Sequence, residues 1–306
     1  MSQSSMEGPA TDVAIIGGSF AGLSAALMLA RGRRRVIVFD DGQTRNRFAA
    51  ASHGFLGQDG QAPDAIRLTG RAEVLAYPTA SVDTRRVQGA QKTGDAFSLT
   101  LADGDLVLAR RIILAYGMRD VLPAIPGLAE CWGVTANQCP YCHGYELADR
   151  PTLVMLTGPH SVQHAMMLTE WTRDLTCLTH GQDMAPADAA ALSERGIALR
   201  DGVVSAVHHR NGHIEAVELA DGARIAGQVL YLASTAVPAC DLATDLGCAM
   251  EPGGQGPIVK VDWMQATSVA GVWAAGDLAR QMPGAVHAAA SGAMAGVAVH
   301  RSLMGF

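Results

Sequence analysis

The stretch DVAIIGGSFAGLSAALMLARGRRRVIVFD, Asp12 to Asp40, decides how the rest of the chain is read. Asp12 to Ile16 is a short apolar run suited to a buried parallel strand. Leu23, Ala26, Leu27 and Ala30 then keep helical spacing, and Val36 to Phe39 resumes the strand pattern. The order strand, glycine turn, helix, strand is a βαβ unit. Its turn carries Gly17-x-Ser19-x-x-Gly22, the dinucleotide fingerprint with serine in place of the middle glycine. Asp40 follows after the roughly 20-residue interval at which a carboxylate holds ribose hydroxyls. Gly17 permits the tight turn, a small residue at 19 lets backbone approach a pyrophosphate, and Gly22 lets helix and strand pack closely. A purely structural glycine turn is the weaker reading, because it leaves the acid at 40 unexplained.

The pattern repeats further along. Thr152 to Thr157 is expected as a strand, Ser161 to Trp171 as a helix and Leu175 to Thr179 as a second strand. Only Gly158 remains of the glycines in this second turn, and Pro159 and His160 follow it, so the amides that would cradle a pyrophosphate are partly removed or screened. Ser98 to Gly117 and Ala216 to Thr235 each place an Asp-Gly hairpin before an apolar strand, which extends the repeat. Near the C-terminus, Gly276-Asp277 follows the apolar run Val272 to Ala275 and precedes a small-residue helix. An acid there is placed to bind a flavin's ribityl hydroxyls, although Gly-Asp alone is an ordinary turn.

Cys139-Pro140-Tyr141-Cys142-His143 has three readings: a redox dithiol, a covalent haem site, or half of a zinc site. Haem attachment needs export, and no signal segment is recognised: no basic region precedes the first apolar run. Zinc needs four ligands, and only these two cysteines and His143 lie close in sequence. The dithiol reading therefore stands, with no metal expected, and a thiol near a helix start has a lowered pKa. Cys131, Cys177, Cys240 and Cys248 are expected as buried small hydrophobes.

The 306 residues are 49% hydrophobic with a net charge of -6, enough for two domains. No basic cluster exceeds Arg33-Arg34-Arg35, which is expected as the solvated end of a helix, so a nucleic-acid surface is excluded. Ala288 to Val299 is too short for a membrane span. Together these point to a cytoplasmic α/β protein.

Taken together, IIGGSFAGLSAA, IILAYG, CPYCHGYE and GVWAAGDL resemble, in order and spacing, the thioredoxin reductase family of flavoprotein disulfide oxidoreductases over nearly the whole chain. The resemblance implies two Rossmann-like dinucleotide-binding domains and a homodimer. The FAD-binding domain is discontinuous, residues 1–118 and 246–306, and residues 119–245 form a central NADPH-domain-like domain that carries the dithiol. FAD is then held by Gly17, Ser19, Phe20, Ala21 and Gly22 of the turn and by Asp40. Arg45, Arg47, Gly117, Gly276 and Asp277 complete the set implied. Cys142 is implied as the flavin-proximal thiolate and Cys139 as the sulfur attacked by substrate thiolate. His143 stands where the reductases carry an acid, which suits removal of a thiol proton, the alternative being a surface histidine packed on Tyr145. His287 is implied to face the flavin or to be structural, and His53 is a weaker candidate.

The departures are informative. Where the reductases carry a His-Arg-Arg run for the 2'-phosphate of NADPH, this chain has Thr179-His180-Gly181-Gln182. A subgroup with these losses, the dithiol oxidases of the gliotoxin and holomycin type, closes a disulfide in a small molecule and passes electrons through FAD to O2; RNRFAAASHGFLGQDG, Arg45 to Gly60, resembles that wider group. The expectation is an FAD-dependent thiol oxidase acting on a small dithiol or thiol. Its rivals are a thioredoxin-like disulfide reductase fed by NADPH or ferredoxin, and a non-catalytic flavin-binding sensor.

Overall fold

The computed structural model describes residues 11–306; the reading of a signal segment rests on the residues before these and lies outside them. The described residues form two compact units, residues 11–47, 63–119 and 236–306 in the first, and residues 48–62 and 120–235 in the second. This differs from the expected division at two segments and at the single residue Arg119, which groups with the first unit. Residues 48–62 are closed into a loop by the Ser52–Gln61 bridge and group with the second unit, while residues 236–245 group with the first.

In the first unit the strands are β1 (Thr11–Ile16), β2 (Val36–Phe39), β3 (Ala80–Asp83), β4 (Val87–Thr93), β5 (Ala96–Leu101) and β6 (Leu106–Leu114). They lie in the order β3-β2-β1-β6-β5-β4, and the strand Val272–Ala274 pairs in parallel with the upper half of β6. β1 is parallel to both neighbours, with Val13 opposite Val36 on one side and Arg111 on the other. A strand paired on both edges and covered on both faces has to be apolar throughout. Val13 to Ile15 are accordingly fully buried. Helix α1 (Phe20–Arg31) and the helix Ala285–Leu303 cover one face, and Gly292 and Gly296 allow their close approach: a Cβ on Gly292 would overlap the backbone of Ala21. Helix α1 ends at Arg31, with Gly32 as its cap and Arg33 at φ 60°. The arginine triplet therefore lies in the turn into β2 rather than on the helix, and Arg35 turns its guanidinium and its amide to Asp12.

The second unit repeats this plan. Strands Ala198–Arg200, Leu175–Leu178, Thr152–Met155, Val229–Leu232 and Ala136–Asn137 form one parallel sheet in that order. Its helix Ser161–Leu168 is shorter than the sequence suggests. From Thr169 the chain tightens into i→i−3 hydrogen bonds such as Trp171 N to Leu168 O. Both expected hairpins form, Asp103-Gly104 joining β5 to β6 and Asp221-Gly222 joining His213–Leu219 to Arg224–Ala226. Among the described residues no helix is long and apolar enough to cross a membrane.

Candidate active site

In the first unit the glycine turn is built at the carboxyl end of β1. Gly17 has φ 111°, a left-handed conformation, and a Cβ there would overlap the Ala115 carbonyl at the end of β6; a Cβ on Gly22 would overlap the Gly17 carbonyl. Ser19 caps α1 in extended conformation without spending its side chain on the cap, and no acid occupies the first turn, so the helix start is open to an anion. Phe20 and Ala21 open the helix, and Gly276 meets Ala21 so closely that a Cβ on it would lie 3.0 Å from that of Ala21.

Asp40 is buried at the end of β2 with its side chain against Gly18. Its Oδ1 accepts from Gly42 N at 3.0 Å, and its Oδ2 pairs with Arg67 Nη1 at 2.8 Å. Arg67, on helix α2 (Pro63–Leu75), also binds Asp64. An ionised carboxylate accepts about four hydrogen bonds, so Asp40 keeps capacity for ribose hydroxyls. Arg45 spans two chain segments, donating from Nη1 to Asp277 Oδ2 at 2.9 Å and from Nη2 to Gln255 Oε1 at 2.6 Å. Asp277 does not adjoin the start of the small-residue helix as the sequence suggested. It lies in a 3-10 turn, Gly276–Ala279, and reaches the helix through Oδ1, which accepts from Gly284 N at 3.2 Å. Arg47 is exposed and donates to Thr44 O, and Gly117, at φ 71°, has open space where a side chain would stand. His287 is in the first turn of the helix Ala285–Leu303, its Nδ1 buried without a hydrogen-bond partner among the described residues. Arg67 and Gln255 carry no motif, and the sequence reading missed both.

A glycine cradle with no room for a Cβ, an open helix start, a buried acid at the ribose position and an orphaned imidazole nitrogen fit a bound dinucleotide such as FAD.

The dithiol belongs to the second unit. Cys139 caps the short helix Pro140–His143, and Cys139 and Cys142 are joined as a disulfide with Cα atoms 5.3 Å apart. Proline at the first helical position fixes φ where no amide partner is needed. The helix packs on Trp171: Tyr141 meets its ring edge-on at 5.4 Å, and a Cβ on Gly144 would lie 2.9 Å from it. His143 is half-buried while Tyr145 is 84% exposed. Burial lowers the His143 pKa below the usual histidine value, the charge of His53 lowers it further, and Glu146 opposes both. Neutral near pH 7, the imidazole is in the form that accepts a proton. Of the other cysteines, Cys131, Cys177 and Cys248 are buried and Cys240 partly so. Burial raises the thiol of Cys131 to about 11 and that of Cys177 to about 12, so both stay protonated.

In the second unit's dinucleotide turn, the amides of Thr157 and Gly158 donate to Ser161 Oγ at 3.2 and 3.1 Å, and Pro159 has no amide hydrogen to offer. After the strand Leu175–Leu178, His180 Nδ1 accepts from Val204 N, and the Gln182 side chain turns back to Leu156 O at 3.1 Å.

Residues 11–293 match the pyridine nucleotide-disulphide oxidoreductase family. The chain belongs to that family. It is 32% identical to a protein named thioredoxin reductase tcpT from Claviceps purpurea, over 93% of this chain and 92% of that one. Among solved structures it resembles an oxidoreductase from Agrobacterium tumefaciens (TM-score 0.91, 40% identity, 96% of this chain and 98% of that one). It also resembles HlmI, at TM-score 0.90 and 39% identity, over 96% of this chain and 93% of that one. This family member is a flavoprotein disulfide oxidoreductase, with FAD as its cofactor.

Proposed function

We propose that the protein is a thiol oxidase: it closes a disulfide in a small dithiol or thiol and delivers the electrons to O2, giving H2O2. The observation that carries this reading is the state of the second dinucleotide turn. There Pro159 removes one amide, Ser161 engages two more, and the stretch 179–182 contains no arginine for a 2'-phosphate. Losing two charge-assisted phosphate contacts costs on the order of 1.5 to 3 kcal/mol each, enough to weaken NADPH by several powers of ten.

The chain's own residues account for the thiol chemistry. His143, neutral, takes the proton from a substrate thiol. The thiolate attacks Cys139 Sγ, the Cys139–Cys142 bond breaks, and Cys142 leaves as thiolate. The second substrate thiolate attacks the substrate sulfur of the mixed disulfide, so the product leaves with its new S–S bond and both cysteines are reduced. FAD, when bound, supplies the two-electron acceptor that reoxidises the dithiol and hands the pair to O2. In the first unit, the glycine turn would hold its pyrophosphate, Asp40 its ribose, and Asp277 with Arg45 the ribityl side. By the resemblance that guides this reading, the protein works in the cytoplasm as a homodimer.

The names of the fungal relatives favour a second reading, a thioredoxin-like reductase drawing on NADPH or another donor such as ferredoxin. Anaerobic titration of the yellow protein separates the two. A dithiol should bleach the flavin and air restore it with one H2O2 per cycle, whereas NADPH should bleach it slowly or not at all. Rapid, saturable bleaching by micromolar NADPH would return the protein to the reductases, and a flavin left oxidised by dithiols would make it a binding protein without turnover.

A further inference from the structure

Arg67 lies in no motif and takes no part in the dithiol chemistry, yet its side chain is only 13% exposed and both edges of its guanidinium are engaged. Nε and Nη2 donate to Asp64 Oδ1 at 2.8 and 2.6 Å, in the first turn of the same helix α2, and Nη1 donates to Asp40 Oδ2 at 2.8 Å. The side chain of Asp64 is 68% exposed and that of Asp40 6%, so the contacts run from solvent inward to the acid at the ribose position. Asp40 is held from other directions as well. Its Oδ1 accepts from Gly42 N at 3.0 Å, and its backbone N–H donates to Asp83 O at 2.9 Å, which seats it beside the end of β3.

Each oxygen of Asp40 therefore has one partner among the described residues and keeps one acceptor position. Two acceptor positions on one fixed carboxylate suit two neighbouring hydroxyls, the pattern of a ribose 2',3'-diol. The acid also packs on the glycine turn, where a Cβ on Gly18 would overlap the Asp40 side chain, so its place relative to that turn is set. What remains free is rotation of the carboxylate about its Cβ–Cγ bond, and the bond from Arg67 is the side-chain contact that stops it at Oδ2.

We propose that Arg67 is a positioning residue for the adenosine half of FAD: clamped by Asp64, it fixes the plane of the Asp40 carboxylate and thereby keeps one acceptor position on each oxygen for the ribose diol. The inference rests on the reading of Asp40 as the ribose acid. Arg67 acts through Asp40, so its removal should be felt as lost recognition of a ribose hydroxyl. A clip that only ties α2 to β2 would behave differently, because loosening it would weaken any flavin dinucleotide to the same degree.

The experiment compares two ligands, FAD and FAD lacking the 2'-hydroxyl of its adenosine ribose. Each is bound to the full-length protein after removal of its flavin, and the dissociation constant is read from quenching of flavin fluorescence in the wild type, Arg67→Met and Asp64→Ala. The wild type should prefer FAD by about ten- to hundredfold, the scale of one hydrogen bond to a charged acceptor. Arg67→Met should shrink that preference to less than about threefold and weaken FAD itself by about tenfold. Asp64→Ala, an exposed change that leaves the core intact, should give a preference between the two, and it decides the matter if Arg67→Met does not fold. A preference that stays at the wild-type value in Arg67→Met, or in Asp64→Ala where only that variant folds, overturns the proposal. The reading beneath it is tested separately: a wild type that binds both ligands alike shows that Asp40 does not hold the ribose, and the role of Arg67 falls with it.

Discussion

Arg45 should be the most sensitive single residue of the first unit outside its hydrophobic core. It joins the loop after β2 to Asp277 and to Gln255 through two charge-assisted bonds of 2.9 and 2.6 Å. Its side chain is 20% exposed and that of Asp277 18%, so the pair is neither buried nor fully solvated. In Arg45→Met both bonds are lost, at about 1.5 to 3 kcal/mol each, while Asp277 keeps its bond from Gly284 N. Residual solvent access and the packing regained by methionine reduce this to a net loss of about 2 to 3 kcal/mol. For a unit of this size that is a fall in Tm of roughly 5 to 10 °C. The assay is urea unfolding of Arg45→Met, Asp277→Leu and the double variant, on apoprotein so that lost FAD affinity does not enter. The double variant should cost about 1 to 2 kcal/mol less than the sum of the singles. Additivity within about 0.5 kcal/mol would refute the reasoning, because two groups in contact cannot behave as independent sites.

Gly22→Val should yield a colourless protein or none, since even a Cβ there overlaps the Gly17 carbonyl and the turn has to open; retention of FAD at wild-type occupancy would contradict the cradle. Cys142→Ser should abolish flavin bleaching by thiols, whereas Cys139→Ser should leave a Cys142 thiolate and a long-wavelength absorbance band; the opposite pattern would exchange the two roles. Stability should fall as pH drops from about 7 to 5. Burial lowers the pKa of His143, His164 and His180, so unfolding takes up protons in that window, and a folded state holding neutral histidines loses ground once their unfolded counterparts protonate. All three lie in the second unit, so hydrogen exchange should locate the loss there; unchanged protection at pH 5.5 would count against the buried-histidine account.

Much of the fold was legible because short-range rules govern it. The run from Asp12 to Asp40 has only one way to bury a doubly paired strand, turn on glycine and pack a small-residue helix, and the structure pairs Val13 with Val36 as that reading requires. The dithiol was legible for the same local reason, as its spacing is the geometry. What escaped lies between distant residues. Arg67 is one arginine on an exposed-looking helix, and only the tertiary fold carries it across 27 positions to Asp40. Gln255 stands 210 positions from Arg45 in an unremarkable glycine stretch. The 48–62 loop was assigned by its place in the chain, while its grouping depends on contacts that no periodicity encodes.

The two halves also show how far topology leaves chemistry open. The parallel strands of the two sheets follow the same order, β3-β2-β1-β6 in the first and Ala198–Arg200, Leu175–Leu178, Thr152–Met155, Val229–Leu232 in the second, and both turns enter a helix, yet the groups at the two helix starts are committed differently. Ser19 in the first turn leaves its hydroxyl out of the cap, and the surrounding glycines leave room for an anion to reach the helix amides. Ser161 in the second folds back to accept two amides, and Pro159 contributes none. A duplicated βαβ unit thus keeps its buried pattern under the demands of packing, because every inward side chain is held by its neighbours. The handful of residues at the strand ends carry little of that load and are free to change, so the same βαβ plan presents an open helix start in one unit and committed amides in the other.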